Sequence, residues 1–430
     1  MSQSIRTYAL FALVALLIIG TGLLQGWDLA LVILNMGLVS AIMSLGVNLQ
    51  WGIAGLFNVG VMGFVALGGM AVVLASVDPV EEAWAAGGAR AILALVLGAA
   101  TIVATVLAWK KTKNRWLTAA ILIAGFVVYR MVRDPGVDAI EAVNPAGTGF
   151  LGGLGLPVVI GWMVGGLLAA GAAWIIGKTA LGLRSDYLAI ATLGISEIII
   201  AIMKNEEWLT RGVKNVTGLP RPVPDAIDLQ NDPGFVERAA SIGMDPTAAS
   251  TLYIKIGYGL MFAAVLIILL VLAQLALNSP WGRMMRAIRD NETSARAMGK
   301  DVTFRHLQVF ILGSAICGIA GAMMTTLDGQ LIPTSYQPLR YTFLIWVMVI
   351  VGGSGNNLGA VLGGFLIWFL WVQVEVLGPG FMTWITGALP DDSGLKEHLL
   401  DSVQHMRLLT MGVILLLVLR FSPRGLLPER

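Results

Sequence analysis

Gly177, Lys178 and Thr179 stand in the order that closes a phosphate-binding loop, whose glycine-rich backbone would cradle a nucleotide while the lysine reaches its phosphates. The upstream glycine such a loop needs is missing, because position 172 is Ala172 and Gly171 lies one residue too far. The segment also leaves an apolar run instead of joining a strand to a helix, so Lys178 reads as a charged anchor at a membrane edge. ATP hydrolysis is therefore not expected on this chain. His306, His398 and His405 have no second ligand at metal-binding spacing, and no metal or cofactor is expected. Ser354 misses the G-x-S-x-G nucleophile pattern because Asn356 stands where the second glycine belongs. Cys317, the single cysteine, sits in an apolar run and reads as a small packed hydrophobe. No catalytic constellation remains.

Two groups of residues do carry chemistry. One is the stretch 278–306, which sets Arg283, Arg286, Arg289, Arg296, Lys300 and Arg305 between runs of membrane length. Ser279 suits a helix N-cap and Pro280 the first helical position, so a helix is expected to start there. On that helix Trp281, Met284, Met285 and Ile288 return to one side, while Arg283, Arg286 and Arg289 turn toward water. A basic amphipathic helix at a membrane edge suits docking on a partner; a loop that only orients the chain by its charge is the plainer alternative. The other is Glu197, 11 residues after Asp186. At ~1.5 Å per residue it lies roughly half the hydrocarbon core from the membrane edge. A carboxylate at that depth costs at least ~2.5 kcal/mol and is expected to face a bundle interior or a wet cavity, in packing or in a pathway. Asn35, Asn48, Gln50 and Asn58 are expected to join helices by hydrogen bonds, and Asn58 is a further pathway candidate.

The elements that must position these groups are membrane spans. Hydrophobic residues make up 57% of the chain and charged residues 13%, against about 25% charged in a soluble domain. An all-α polytopic membrane protein follows, and a net charge of +2 gives no ground for a nucleic-acid partner. A span needs roughly 20 apolar residues. The runs lie at 8–25, 29–50, 53–77, 90–109, 116–130, 157–177, 187–203, 251–277, 307–327, 341–377 and 405–421. They predict about 10 to 12 crossings in a single domain over 1–430. Gly352, Gly353, Ser354, Gly355, Asn356, Asn357 and Gly359 interrupt the 341–377 run and predict a broken helix pair. Gly353, Ser354 and Gly355 then form either a break in a pathway or a tight turn at the surface. If that run crosses twice, one side receives Lys110, Lys111, Lys113, Arg115, Lys178, Arg184, the 278–306 set, Arg420, Arg424 and Arg430. The other receives Asp78, Glu81, Glu82, the proline-rich insert 204–250, and Asp391, Asp392, Glu397 and Asp401. The positive-inside rule makes the first side, with both termini, cytoplasmic. Run 8–25 reads as a retained first span. Gly161 with Gly165, and Gly60 with Gly68, predict close-packed helices.

These residues resemble the LivM-type permease subunit of bacterial ABC importers for branched-chain amino acids. The resemblance rests on GLFNVGVMGFVALGG from Gly55, LRSDYLAIATLGISEI from Leu183, SPWGRMMRAIRDNETSARAMG from Ser279, VGGSGNNLGAVLGG from Val351 and FSPRGLLPE from Phe421. It implies an ABC importer permease fold in the inner membrane, embedded in lipid. It also implies a second permease subunit, as hetero- or homodimer, two cytoplasmic ABC ATPases, and a periplasmic substrate-binding protein. Ser279 to Gly299 matches the family's coupling loop, which implies that Trp281, Arg283, Met284, Met285, Arg286, Ile288, Arg289, Glu292 and Gly299 serve ATPase coupling. Met284, Met285 and Ile288 would be the apolar anchors in the ATPase groove. The chain departs from the family where Thr293 and Ser294 follow Glu292 and where Val61 stands in place of a histidine or glutamine. Branched-chain amino acids, urea, short amides and other small carboxylates all remain open as substrates. An ion-coupled secondary transporter or channel would share Glu197 and the broken helix without needing the basic helix; an intramembrane enzyme would need the missing catalytic set.

Overall fold

The computed structural model describes residues 3–429 apart from Ala146, Ala388, Asp391 and Asp392. Of the charged groups named above, Asp391, Asp392 and Arg430 lie outside the described residues. The first half of the chain forms α1 (Gln3–Leu24), α2 (Trp27–Val47), α3 (Val61–Ser76), α4 (Glu81–Ala83), α5 (Ala89–Thr112), α6 (Arg115–Ala142), α7 (Val158–Ala180) and α8 (Ser185–Asn205). A π-helical turn, Asn48–Ile53, prolongs α2, and another, Trp84–Gly88, joins α4 to α5. The insert that follows holds α9 (Glu207–Thr210), strand β1 (Val216–Thr217), α10 (Ala226–Asn231) and α11 (Pro233–Ser241). Then come α12 (Pro246–Asn278), α13 (Pro280–Asp290), α14 (Glu292–Ala297), α15 (Val302–Asp328), β2 (Gln330–Leu331) and α16 (Pro338–Gly352). The last are α17 (Asn357–Thr386), α18 (Gly394–Asp401) and α19 (Met406–Phe421).

Among the described residues, ten helical segments are long and apolar enough to cross a membrane, and α3 and α16 are shorter apolar helices. Counting those two gives twelve candidate crossings. At 16 residues, α3 spans ~24 Å, short of the ~30 Å hydrocarbon core. The non-helical link 54–60 precedes it, with Ala54, Leu56, Asn58 and Gly60 buried in the bundle and Gly55 exposed. Counting apolar residues underestimated α6, which runs on to Ala142 instead of stopping near Arg130. Two of its arginines are paired, Arg130 with Asp134 one turn on, at 2.8 Å, and Arg133 with Glu206 from beyond the helix.

The centre of the bundle is the trio α3, α7 and α15, flanked by α2 and α17. Glycine sets how closely α3 and α15 cross. A Cβ on Gly68 would lie 1.9 Å from the Gly318 carbonyl oxygen, and one on Gly321 1.9 Å from that of Val65. Any larger residue would push the helices apart. The α5–α6 hairpin stands at the periphery with most of its apolar surface exposed. One feature departs from an all-helical expectation: β1 pairs antiparallel with β2, Val216 opposite Leu331 and Thr217 opposite Gln330. The insert is thereby tied to the link between α15 and α16.

Candidate coupling and pathway sites

The start of α13 follows the local chemistry of its first residues. Ser279 Oγ accepts from the Trp281 N–H at 3.2 Å, with Pro280 next. Asn291 caps α14 through the Ser294 N–H at 2.9 Å, and Asp301 caps α15 through the Phe304 N–H at 2.9 Å. The apolar stripe of α13 is not offered to a partner, however. Met285 and Ile288 are 0% and 1% exposed and belong to the chain's own core. Met284 is half-buried against the same core, and Trp281 Nε1 donates to Gln308 at 3.2 Å. This corrects the expectation that Met284, Met285 and Ile288 anchor in an ATPase groove: the nearest apolar surface is the chain's own bundle, and the stripe is spent there. The face left open consists of Arg283, Ala287, Asp290, Thr293, Arg296, Ala297 and Met298, the last 78% exposed. Glu292 is exposed and paired with Arg296 at 2.6 Å, and Gly299 is exposed beyond α14. Arg286 turns back to the Leu277 carbonyl at 3.4 Å.

Arg289 is the most connected residue of α13. Its guanidinium donates to the Gly52 carbonyl at the end of the π-turn, pairs with Glu429 at 2.9 Å and reaches Asp290 at 3.3 Å. Burial works against its charge, but the hydrogen bond and charge of Glu429, with Asp290, hold its pKa above the ordinary guanidinium value. Glu429 closes a strap, 422–429, that folds under the α16–α17 turn. The Leu426 and Leu427 N–H groups donate to the Val351 and Gly352 carbonyls at 2.8 Å each. These are among the last carbonyls of α16, which have no partner within the helix. Gly353 has φ +120°, and a Cβ there would lie 2.2 Å from the Leu427 oxygen. The Gly355 N–H donates to Asn48 at 2.8 Å. Gly353, Ser354 and Gly355 thus form a tight turn at the same end of the bundle as α13, the second of the two readings open from sequence. Glu429 was missed; the only signal for it was the FSPRGLLPE stretch that carried part of the resemblance.

Asn58 is fully committed within the bundle. Its Nδ2 donates to Gln50 at 2.8 Å, its Oδ1 accepts from the Gly60 N–H at 2.9 Å, and its carbonyl accepts from Trp346 Nε1 at 3.2 Å. Gln50 in turn holds the Phe310 carbonyl and Ser314, both at 3.0 Å. Asn58 therefore fixes link 54–60 and faces no open space, contrary to its candidacy as a pathway group. Glu197 is placed differently. Helix α8 packs on the start of α3 through Thr192, which accepts from the Val59 N–H at 3.1 Å, and through Ser196 against Gly63. Glu197 lies outside that contact, exposed along one helix face with Tyr187, Ile190, Gly194 and Ala201. Among the described residues it has no ion-pair or hydrogen-bond partner. In the single chain this mid-span carboxylate is on the outside of the bundle.

A family model described as branched-chain amino acid transport system / permease component matches residues 117–419. The chain is 27% identical over 281 residues to the probable branched-chain amino acid transport permease protein LivM of Methanocaldococcus jannaschii, covering 64% of this chain and 67% of that protein. It is 25% identical over 272 residues to the high-affinity branched-chain amino acid transport system permease protein LivM of Escherichia coli, covering 62% and 56%. The xylose transport system permease protein XylH of Escherichia coli is 24% identical over 234 residues, covering 53% and 46%. The chain thus spans from about half to two thirds of these relatives' length. No solved structure matches it. With the family model covering most of a helical bundle that holds ten membrane-length segments among the described residues, the chain belongs to the family of permease components of branched-chain amino acid transport systems.

Proposed function

We propose that the chain is the membrane-spanning permease subunit of an ATP-driven importer of branched-chain amino acids or similar small solutes. The observation that carries this reading is the basic pair α13–α14, seated in the bundle by Met285 and Ile288 and joined through Arg289 to the end of α2 and to the α16–α17 turn. A push on its exposed face reaches three elements of the bundle at once, which is what a coupling helix needs. ATP hydrolysis is assigned to two separate ATPase subunits docked on the Arg283, Ala287, Asp290 and Met298 face. The basic end, with both termini, is assigned to the cytoplasm of a bacterial cell. Insert 204–250 then faces outward, where a substrate-binding protein would deliver solute. The second permease subunit is assigned to the α8 face, because lipid does not solvate the mid-span carboxylate of Glu197, whereas a partner subunit or a wet pathway beside it does.

The test is reconstitution of this permease with its permease partner and loaded binding protein, with and without the ATPase. Concentrative leucine uptake is expected only with ATPase and ATP. Sustained uptake driven by an ion gradient alone would replace this reading with that of an ion-coupled transporter, which would also make use of an exposed Glu197.

A further inference from the structure

Stripes from three helices line one cavity within the bundle: Met36, Ser40 and Met43 on α2, Met324 and Asp328 on α15, and Tyr341, Leu344, Ile345 and Met348 on α16. Their spacing of three, four and seven residues keeps each set on one helix face. With Met62 of α3 and Trp368 of α17 they line a cavity of about 270 Å³ that opens at one end. That is just under the ~300 Å³ lower end of small-molecule sites. Its wall is apolar and adaptable, five flexible thioether side chains with a leucine and an isoleucine. Its polar groups are few and at least two are unused. Trp368 Nε1 is buried without an acceptor, and the Asp328 carboxylate has no ion-pair or hydrogen-bond partner among the described residues. Buried indole N–H groups ordinarily find a partner, so this one marks a place where an acceptor is missing.

The mouth lies at the end of the bundle that carries the insert. Asp328 and Ser335, both exposed, flank strand β2, and β2 is the strand that β1 of the insert pairs with. Arg340, stacked over the rings of Tyr341 and Trp371, adds a positive charge beside the lining. We propose that this cavity is a solute site inside the permease that takes a small aliphatic zwitterion, its ammonium group at Asp328, its carboxylate toward the Trp368 N–H and its alkyl side chain among the methionines. The proposal rests on the importer reading and narrows its substrate class. A sugar would bring hydroxyls that the methionine wall leaves unpaired, at a cost for each one buried, and urea would leave most of the apolar wall uncovered.

The experiment measures binding of tritiated L-leucine to the complete permease–ATPase complex in lipid nanodiscs without binding protein, alongside ATP-driven leucine uptake by the same complex with binding protein. Saturable binding is expected, displaced by isoleucine and valine but not by xylose, fructose or urea. Asp328→Asn should weaken it roughly tenfold or more, since a hydrogen bond to a charged group is lost. Met36→Phe, at a half-buried wall position, should weaken leucine more than valine by reducing the space. Ser335→Trp, at the exposed mouth, should slow association with little change in fold. Absence of saturable binding by a complex that imports leucine overturns the site and leaves the importer reading standing. Binding that ignores both Asp328→Asn and Met36→Phe also overturns it. Saturable, Asp328-dependent binding by a complex that imports nothing supports the site and overturns the importer reading instead.

Discussion

Replacing Glu429 by glutamine removes one charge from the Arg289 pair while keeping the shape of the side chain. The two side chains are 24% and 28% exposed and meet at 2.9 Å. At an effective dielectric of about 20, two charges ~4 Å apart gain ~4 kcal/mol before desolvation and side-chain ordering. Exposed pairs retain about 0.2–1 kcal/mol of this, and breaking a fully buried pair costs about 3–5. A mostly buried pair falls between, at about 1–2 kcal/mol, or roughly 5–30-fold in the equilibrium for lifting the strap. Hydrogen exchange reads that equilibrium directly, because the Leu426 and Leu427 amides are bonded to the Val351 and Gly352 carbonyls only while the strap is down. Glu429→Gln should speed their exchange by that factor and leave the α3–α15 core unchanged. Stimulation of the ATPase by loaded binding protein should fall with it. Arg289→Ala should have the larger effect, because it also strips the Gly52 carbonyl of its donor. Unchanged exchange at Leu426 and Leu427 would refute the assigned strength of the pair. Faster exchange with wild-type ATPase stimulation would show that the strap takes no part in coupling.

Gly353→Ala should reproduce the strap phenotype without touching a charge, since it combines a strained φ of +120° with a 2.2 Å clash on Leu427; the cost is about 1–3 kcal/mol, checked by the same exchange measurement. Met285→Asp should reduce folded, detergent-extractable protein, because it puts a carboxylate into a fully buried apolar site. Met298→Asp, on the exposed face, should leave yield intact and lower ATPase co-purification; the opposite ranking would restore the sequence expectation that the buried stripe is the docking face. Glu197→Gln should keep most expression and lower turnover at most moderately, and an altered substrate profile in uptake assays would assign this carboxylate to recognition instead.

What the sequence makes legible here is what depends on near neighbours. Ser279 and Pro280 start α13 where capping chemistry says they must, and the apolar runs locate the membrane helices because burial in lipid needs no knowledge of topology. Legibility ends where a residue's partner is distant in the chain. The α6 boundary was misplaced because Arg133 is neutralised by Glu206, which no local window contains. The stripe of α13 announces that Met285 and Ile288 need an apolar partner, but amphipathicity is silent on whether that partner is another subunit or the same bundle. Glu197 poses the same problem in reverse. Its depth was readable, yet the facing side of α8 is set by Thr192 and Ser196 closing on Val59 and Gly63, and that contact turns the carboxylate outward. A helix periodicity fixes which residues share a face; only the packing of the others decides what that face meets. The α8 face is where the second subunit is proposed, while the proposed solute cavity is lined by α2, α3, α15, α16 and α17 of a single chain. On this architecture the chain carries its solute site alone, and cross-linking it to the proposed partner subunit through Gly194→Cys or Ala201→Cys of α8 should arrest transport without abolishing leucine binding.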